Sequence, residues 1–418
     1  MINKFVNNLV FKSKNITVLL GAGTSCVKGC NLPTGAKLFE DLIKEILKNE
    51  KYENIKDIIN IDYEEKEEGG KVKFIVKSKD SNEREYSIET YLSKIENAQT
   101  FLRNNNKINE ADSIKEFYKN CLDFIVQKIA IDISDKAVHK NFISKLISTR
   151  NELSKGRIKI FTTNYDTIIE DSCAENGIVV IDGFSFVGSK RIFNSSYFDY
   201  DIIDNNLTRR NNIAERIQNL LYLYKLHGSV NWYKNEDKFY CTNEYSNKKE
   251  SMDTKSPMII IPGDGKFKTS YDSPYLDMIG KFREGLCDSE LLIIAGYSFS
   301  DTHINNIIVE AAQRNSNINI LICIRGSNGL KCYADFQNSQ DNSIEKFNDD
   351  VLKKLGNVKE CIKNCIILQH KDVFEELANI ILTSKLTNSF CKFEESINSS
   401  PTHKNKNKNN SNNNDIYS

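Results

Sequence analysis

The sequence predicts an α/β protein built on a doubly wound parallel sheet, and three observations carry that prediction. Short apolar runs recur along the chain, and most are continuous rather than alternating, as in strands covered on both faces. Amphipathic helical stretches lie between many of them, the alternation that a doubly wound core requires. The first run, Ile16–Leu20, passes directly into the glycine-rich turn Gly21-Ala22-Gly23-Thr24-Ser25, which is how a Rossmann-like nucleotide-binding sheet begins.

The strand candidates follow in order at Ile16–Leu20, Ile158–Thr162, 178–181, 222–226, 258–261, Leu291–Ala295, 318–324 and 366–369. Between them, residues 35–48 place Leu38, Leu42, Ile46 and Leu47 on one helical stripe, and 164–176, Thr302–Arg314 and 372–384 repeat that period. Two stretches separate the first strand from the second. Residues 49–79 are charged and polar around Glu64-Glu65-Lys66-Glu67-Glu68-Gly69-Gly70, and read as an insertion ending in a hairpin through 71–76. Residues 88–150 are helical in pattern, notably at 115–131 and 135–149, and read as an inserted helical subdomain. A further polar insertion spans 183–218. The expected organisation is therefore the start of the core at 1–48, the insertion and helical subdomain at 49–155, the rest of the core at 156–393, and a tail at 394–418. That tail is rich in Asn and Lys, has nothing to bury and is expected to be disordered.

Composition narrows the function classes. The chain has 418 residues, long enough to bury a core without disulfide or metal staples. Its 57 basic and 57 acidic residues balance, so bulk charge gives no reason to expect nucleic acid or an anionic membrane as partner. No apolar run approaches the roughly 18 residues of a membrane span. The 11 cysteines are scattered, no Cys-x-x-Cys occurs, and no secretory signal is recognisable. The expectation is a cytoplasmic protein with free thiols and no zinc ribbon.

Four segments at the carboxyl ends of expected strands carry candidate chemistry, since open α/β sheets bind ligands there. In Gly21–Ser25, glycines let backbone amides approach phosphate, and Thr24 and Ser25 add hydroxyls; the alternative is a purely structural turn. The third position of a redox dinucleotide fingerprint is Cys26 rather than glycine. Glu40 and Asp41, the acids about 20 residues on, lie inside a helical run. The loop thus points to phosphate but away from hydride transfer. In Thr162-Thr163-Asn164-Tyr165-Asp166, Asn164 and Asp166 stand at the mouth of the sheet, although one of them could be a helix N-cap. His227-Gly228 offers a group that titrates near neutrality beside a residue that permits a sharp turn; a core or surface histidine is the alternative. In Gly296-Tyr297-Ser298-Phe299-Ser300-Asp301-Thr302-His303-Ile304, Gly296 and Ser298 could line phosphate or ribose. Ser300 or Asp301 would cap the following helix, and His303 would be structural.

In this order the four segments resemble the sirtuin superfamily. The family's Gly-Ala-Gly loop is matched by Gly21-Ala22-Gly23, its Gly-Ile-Pro segment by Asn31-Leu32-Pro33, and its Thr-Gln-Asn-Ile-Asp by Thr162-Thr163-Asn164-Tyr165-Asp166. Its His-Gly is matched by His227-Gly228 and its Gly-Thr-Ser by Gly296-Tyr297-Ser298. The resemblance runs from about Lys14 to Leu382. The four-cysteine zinc module of protein deacylases is missing, and Thr34-Gly35-Ala36 replaces their Asp-Phe-Arg. Thr162-Thr163-Asn164-Tyr165-Asp166, the long form of the segment from Gly296 to Ile304 and the helical insertion resemble the bacterial sirtuin-like branch found in antiphage defence. That resemblance implies an NAD glycohydrolase that uses NAD as substrate and no metal. It implies Asn164 and His227 as catalytic residues, and Gly21, Ala22, Gly23, Thr24, Ser25, Asp166, Gly296 and Ser298 as residues that hold the dinucleotide. Expected partners are NAD, further copies of the chain, and a HerA-type ATPase or a phage protein as trigger. The alternatives are an NAD or ADP-ribose sensor without catalysis and an NAD-dependent protein deacylase.

Overall fold

In the computed structural model, the structure describes residues 2–381 apart from 48–51, 60, 69–70, 79–87, 151, 153, 205–214, 236–237, 243–256, 260–272, 327, 335–343, 346–348 and 360–364. The expected tail at 394–418 and strand residues 260–261 lie outside the described residues.

Helix α1 (Ile2–Lys12) leads into β1 (Ile16–Leu20), whose residues are all buried. The reason that run is continuously apolar is visible in its surroundings. Leu19 enters the buried cluster on one face of the sheet, while Ile16, Val18 and Leu20 enter the cluster on the other. A single helical turn, α2 (Ala22–Ser25), follows the glycine turn. Then come α3 (Gly35–Leu47), α4 (Glu53–Ile58), the hairpin β2 (Ile61–Glu68) with β3 (Lys71–Ser78), α5 (Ile88–Asn104), α6 (Ile108–Ile129) and α7 (Ala137–Ser148). The chain returns to the core with β4 (Ile158–Thr162), α8 (Ile168–Glu175) and β5 (Val179–Ile181). Short strands β6 (Lys190–Ile192), β7 (Ile203–Asp204) and β8 (Glu215–Arg216) precede β9 (Leu220–Lys225). Next are β10 (Gly228–Asn235), β11 (Lys238–Thr242), β12 (Pro257–Ile259) and α9 (Tyr275–Cys287). Last come β13 (Leu291–Ala295), α10 (Thr302–Arg314), β14 (Asn319–Arg325), β15 (Lys331–Ala334), β16 (Ile344–Glu345), α11 (Asp349–Lys353), β17 (Cys365–His370) and α12 (Val373–Ile380).

The main sheet has nine strands in the order β16-β15-β17-β14-β13-β1-β4-β9-β5. All its pairings are parallel except β15 with β17. From β1 the chain first builds outward through β4 towards β9 and β5, then crosses back to β13, β14 and β17 on the other side. Strand β1 is therefore the switch point, and the carboxyl ends of β1 and β13 border the crevice where such sheets bind ligands. The doubly wound α/β class is thus observed.

The helices divide between two partners. Helices α3, α5 and α6 share a cluster that includes Leu38, Leu42, Tyr91, Ile95, Ile114, Phe117 and Ile125. Helix α7, expected within the inserted helical subdomain, instead places Phe142, Ile143, Leu146 and Ile147 on the sheet with Phe374 and Leu377 of α12. Helical periodicity shows that a helix has an apolar face but not which neighbour covers it.

Two further expectations change. The run at 258–261 was expected as a core strand. Its described part, β12, instead pairs antiparallel with β10 in a separate four-stranded sheet, order β12-β10-β11-β6. A short apolar run looks the same in either kind of sheet. The stretch 183–218, expected to be a polar insertion, buries Phe184 and Phe198. Phe198 stacks on Tyr224 of β9 at 4.4 Å, and Tyr224 stacks on Phe161 of β4 at 4.3 Å. This stretch therefore covers one face of the sheet beneath the crevice. No helix among the described residues is long and apolar enough to cross a membrane.

Candidate functional site

Register brings the four segments together. Leu20 of β1 lies opposite Ala295 of β13 and Thr162 of β4, and Thr162 lies opposite Lys225 of β9. Four strands therefore end level with one another, and Gly296, Gly21, Thr163 and Leu226 leave the sheet side by side. Backbone bonds extend the alignment past the strand ends, from Thr163 N to Leu20 O at 3.0 Å and from Leu226 N to Thr162 O at 2.8 Å. His227 follows immediately, and Gly228, at φ +83°, turns the chain out of the main sheet into β10.

The glycines of the first loop serve a purpose the sequence does not reveal. The loop lies backbone to backbone against the turn after β13. Gly21 N donates to Ala295 O at 3.0 Å, and Gly23 N donates to Gly296 O at 2.8 Å. A Cβ on Gly21 would sit 2.6 Å from Tyr297 Cα, and one on Gly23 would sit 2.8 Å from Gly296 Cα. Gly296 itself has φ +64°, and its Cβ would meet Thr24 N at 2.4 Å. The glycines are needed for this contact between loops, and the amides of Gly21, Gly23 and Thr24 are already engaged by protein carbonyls. The expected hydroxyls also turn inward. Thr24 Oγ1 donates to Gly21 O at 2.8 Å, and Ser25 Oγ donates to Asp166 Oδ2 at 2.7 Å. Ala22, Gly23, Ser298 and Ser300 are exposed, and Ser298 Oγ and Ser300 Oγ lie 2.8 Å apart.

The structure also separates the two polar residues after β4. Asp166 is the cap. Its Oδ1 accepts from Ile168 N at 3.1 Å at the start of α8, while Oδ2 accepts from Ser25. Asp166 thereby fastens α2 to α8. Asn164 caps nothing. Its buried side chain donates from Nδ2 to Gly21 O at 3.1 Å, Ser25 Oγ at 2.9 Å and Thr24 Oγ1 at 3.3 Å. Its Oδ1 is buried and has no hydrogen-bond partner among the described residues. A buried amide oxygen without a partner costs about 1–3 kcal/mol, so this atom is an unmet demand in the crevice.

Beneath these residues lies a charge that the sequence reading missed. Lys225, the last residue of β9, is 2% exposed. Its Nζ donates to Asp166 O, to Glu170 Oε1 at 3.0 Å and to Ser229 Oγ at 2.8 Å. Burial raises the Glu170 carboxyl above the ordinary range while the Lys225 ammonium pulls against that shift. The signal available in the sequence was a lysine closing an otherwise apolar strand.

His227 Nε2 lies 3.1 Å from Asp301 Oδ2, and both residues are 6% exposed. Asp301 also caps α10, since its Oδ1 accepts from His303 N at 2.9 Å and Ile304 N at 3.3 Å. His303 stands exposed in the first turn of α10. The crevice therefore combines a buried imidazole–carboxylate pair, an amide oxygen in need of a donor, and exposed hydroxyls at its rim. Such an arrangement can orient a polar ligand and remove a proton from it.

A second buried imidazole has a different character. His139 Nδ1 lies 3.7 Å from Cys30 Sγ. Burial pushes the His139 imidazole down to about 4 and the Cys30 thiol up to about 11, so both are neutral at pH 7 and the thiol is no activated nucleophile. The depressed histidine makes a prediction. Its stabilising effect is complete above its unfolded value near 6.5 and is lost as the pH falls towards 4. At about 1.4 kcal/mol per pH unit, urea denaturation should show roughly 3 kcal/mol lost over that window from this group. His139→Gln should flatten that part of the slope, and an unchanged slope would refute the assignment. Among the described residues, no group of three or more His, Cys, Asp or Glu side chains could hold a metal ion.

By fold and crevice, the chain is a doubly wound α/β protein with its polar groups gathered at the switch point. More specifically, residues 158–328 match a family model described as the SIR2-like domain. That span runs from β4 past the end of β14 and contains Asn164, Asp166, His227, Gly296, Ser298 and Asp301. No curated protein matches the sequence. Among solved structures, the chain is similar to a mutant Sir2 homologue in complex with 2′-O-acetyl ADP ribose, with 13% identity, a TM-score of 0.42, and coverage of 93% of this chain and 98% of that one. It is also similar to a Sir2–p53 peptide–NAD+ complex, with 12% identity, a TM-score of 0.40, and coverage of 94% and 99%. A Sir2 homologue–NAD complex matches with 12% identity, a TM-score of 0.40, and coverage of 91% and 94%.

Proposed function

We propose that the chain is an NAD glycohydrolase that cleaves the nicotinamide–ribose bond to give nicotinamide and ADP-ribose. The observation that carries this reading is the buried Oδ1 of Asn164, without a hydrogen-bond partner among the described residues, at the switch point and one strand away from His227. An amide oxygen held there by three Nδ2 bonds suits a ribose hydroxyl or the attacking water. The SIR2-like match over the segment holding both residues supports NAD as the substrate.

The chemistry makes modest demands. The C1′–nitrogen bond breaks, and nicotinamide leaves as a neutral molecule with the electron pair. Water oxygen bonds to C1′, and a proton is released. The principal need is to stabilise a sugar oxocarbenium with fixed dipoles in a water-poor pocket. Asn164 positions the nicotinamide ribose and the water. His227 takes the proton from that water or from a ribose hydroxyl, a role worth about 10²–10⁴-fold. The surface formed by Gly21, Ala22, Gly23 and Gly296 lies against the pyrophosphate, and the Ser298 hydroxyl donates to phosphate or ribose. Thr24, Ser25 and Asp166 act from behind, holding that surface and Asn164 in place.

We read the biological setting as antiphage defence, in which depletion of NAD aborts infection, and in which further copies of the chain and a HerA-type ATPase or a phage protein assemble or trigger the enzyme. The supporting residues are Thr162-Thr163-Asn164-Tyr165-Asp166 and the segment from Gly296 to Ile304. Chromatography of NAD incubated with the purified protein, with and without the product of the neighbouring gene, tests the reading. Release of nicotinamide and ADP-ribose is the expected result. NAD binding with no product under both conditions would make the protein a sensor, and release only with an acyl-lysine peptide would make it a deacylase.

A further inference from the structure

We propose that Asp301 is a positioning residue for His227, holding its imidazole in the tautomer that can act as base; this rests on the glycohydrolase reading above. The two residues are 74 positions apart in the sequence and meet as Nε2···Oδ2 at 3.1 Å, both buried. Asp301 divides its oxygens between two tasks. Oδ1 accepts from the amides of His303 and Ile304, and the N-terminal end of a 13-residue helix favours a negative charge there. Oδ2 faces His227. An ionised carboxylate only accepts hydrogen bonds, so Nε2 must carry a proton, and in the neutral imidazole Nδ1 then keeps its lone pair. That lone pair is what a general base requires.

The segment before Asp301 is built to keep it still. Gly296 stands at φ +64° and Phe299 at φ +58°, the latter a left-handed conformation that is strained for a bulky side chain. Asn305 Nδ2 donates to Phe299 O at 2.7 Å, and Tyr297 Oη donates to Asp301 O at 3.2 Å. The strained turn is thus held down from α10, and it sets the carboxylate opposite β9. A residue needed only as a cap would require none of this alignment towards the histidine.

Asp301→Asn separates capping from positioning. Asn caps helices about as well as Asp, so the melting temperature should hold. Its Nδ2, however, would donate to Nε2 and reverse the tautomer. Turnover of NAD should fall as far as loss of the base itself would take it, about 10²–10⁴-fold, with KM little changed. Asp301→Ser, also a capping residue, should lose activity as well. Long-range proton–nitrogen NMR of the protein labelled at histidine, with His227→Gln assigning the signal, should show the Nε2–H tautomer in the natural protein and the Nδ1–H tautomer in Asp301→Asn. Wild-type turnover in both variants, or an Nδ1–H tautomer in the natural protein, would overturn the proposal. If the natural protein cleaves no NAD, the glycohydrolase reading fails, while the tautomer measurement still decides whether Asp301 orients His227.

Discussion

His227→Ala should reduce NAD cleavage by at least about 10²-fold and up to 10⁴-fold, the contribution of a positioned general base. The fold should survive. Truncation removes the imidazole from Asp301 Oδ2, while Oδ1 keeps its bonds to the amides of His303 and Ile304. Asn164→Ala should abolish cleavage in the same assay but disturb more of the crevice, because Gly21 O, Thr24 Oγ1 and Ser25 Oγ each lose a donor. Nicotinamide release by chromatography and denaturation by urea, measured on the same preparations, distinguish the two effects. Undiminished turnover in both variants would remove Asn164 and His227 from the catalytic machinery.

The largest effect on stability should come from Gly296→Ala. The substituted residue must adopt φ +64° and must also place Cβ 2.4 Å from Thr24 N, a backbone atom that no side-chain rotation can move aside. The conformational part alone costs on the order of 1–3 kcal/mol. Gly177 supplies the control, since it has the same φ of +64° and nothing within 4 Å of an added Cβ. Gly177→Ala should lose only the conformational part. Gly296→Ala should lose several kcal/mol more, at the severe end of single substitutions, and should separate the first loop from the turn after β13. Equal losses in the two variants would show that contact between the loops is not what requires the glycine.

Much of this protein was legible in one dimension because the relevant physics is local. Continuous apolar runs announced strands buried on both faces, and β1, β4 and β13 lie where that pattern placed them. Turn and cap chemistry is also local, so Asp301 was recognisable as a candidate cap for α10. The rest depends on which strand lies beside which. Strand β12 left the main sheet because apolar content does not encode the direction of pairing. Helix α7 joined the sheet because periodicity does not name the covering neighbour. The phenyl rings within 183–218 appeared to belong to a polar insertion until the sheet beneath them was assembled.

The site divides in the same way. Taken alone, the sequence determined the doubly wound class, the order of the four strand-end segments, and Asn164 and His227 as residues to consider, because each follows from a pattern only a few residues long. Only the tertiary structure decided what those residues touch. The level ends of β13, β1, β4 and β9 turn the glycines of two loops against each other, leave Asn164 Oδ1 without a partner among the described residues, tie Asp166 to Ser25 and to the start of α8, and set Asp301 against His227. Lys225 and Glu170 likewise meet only when β9 and α8 pack together. Each of these relations depends on sheet order and register, and a hydrogen bond of 3 Å between residues dozens of positions apart has no period or local motif from which it could be read.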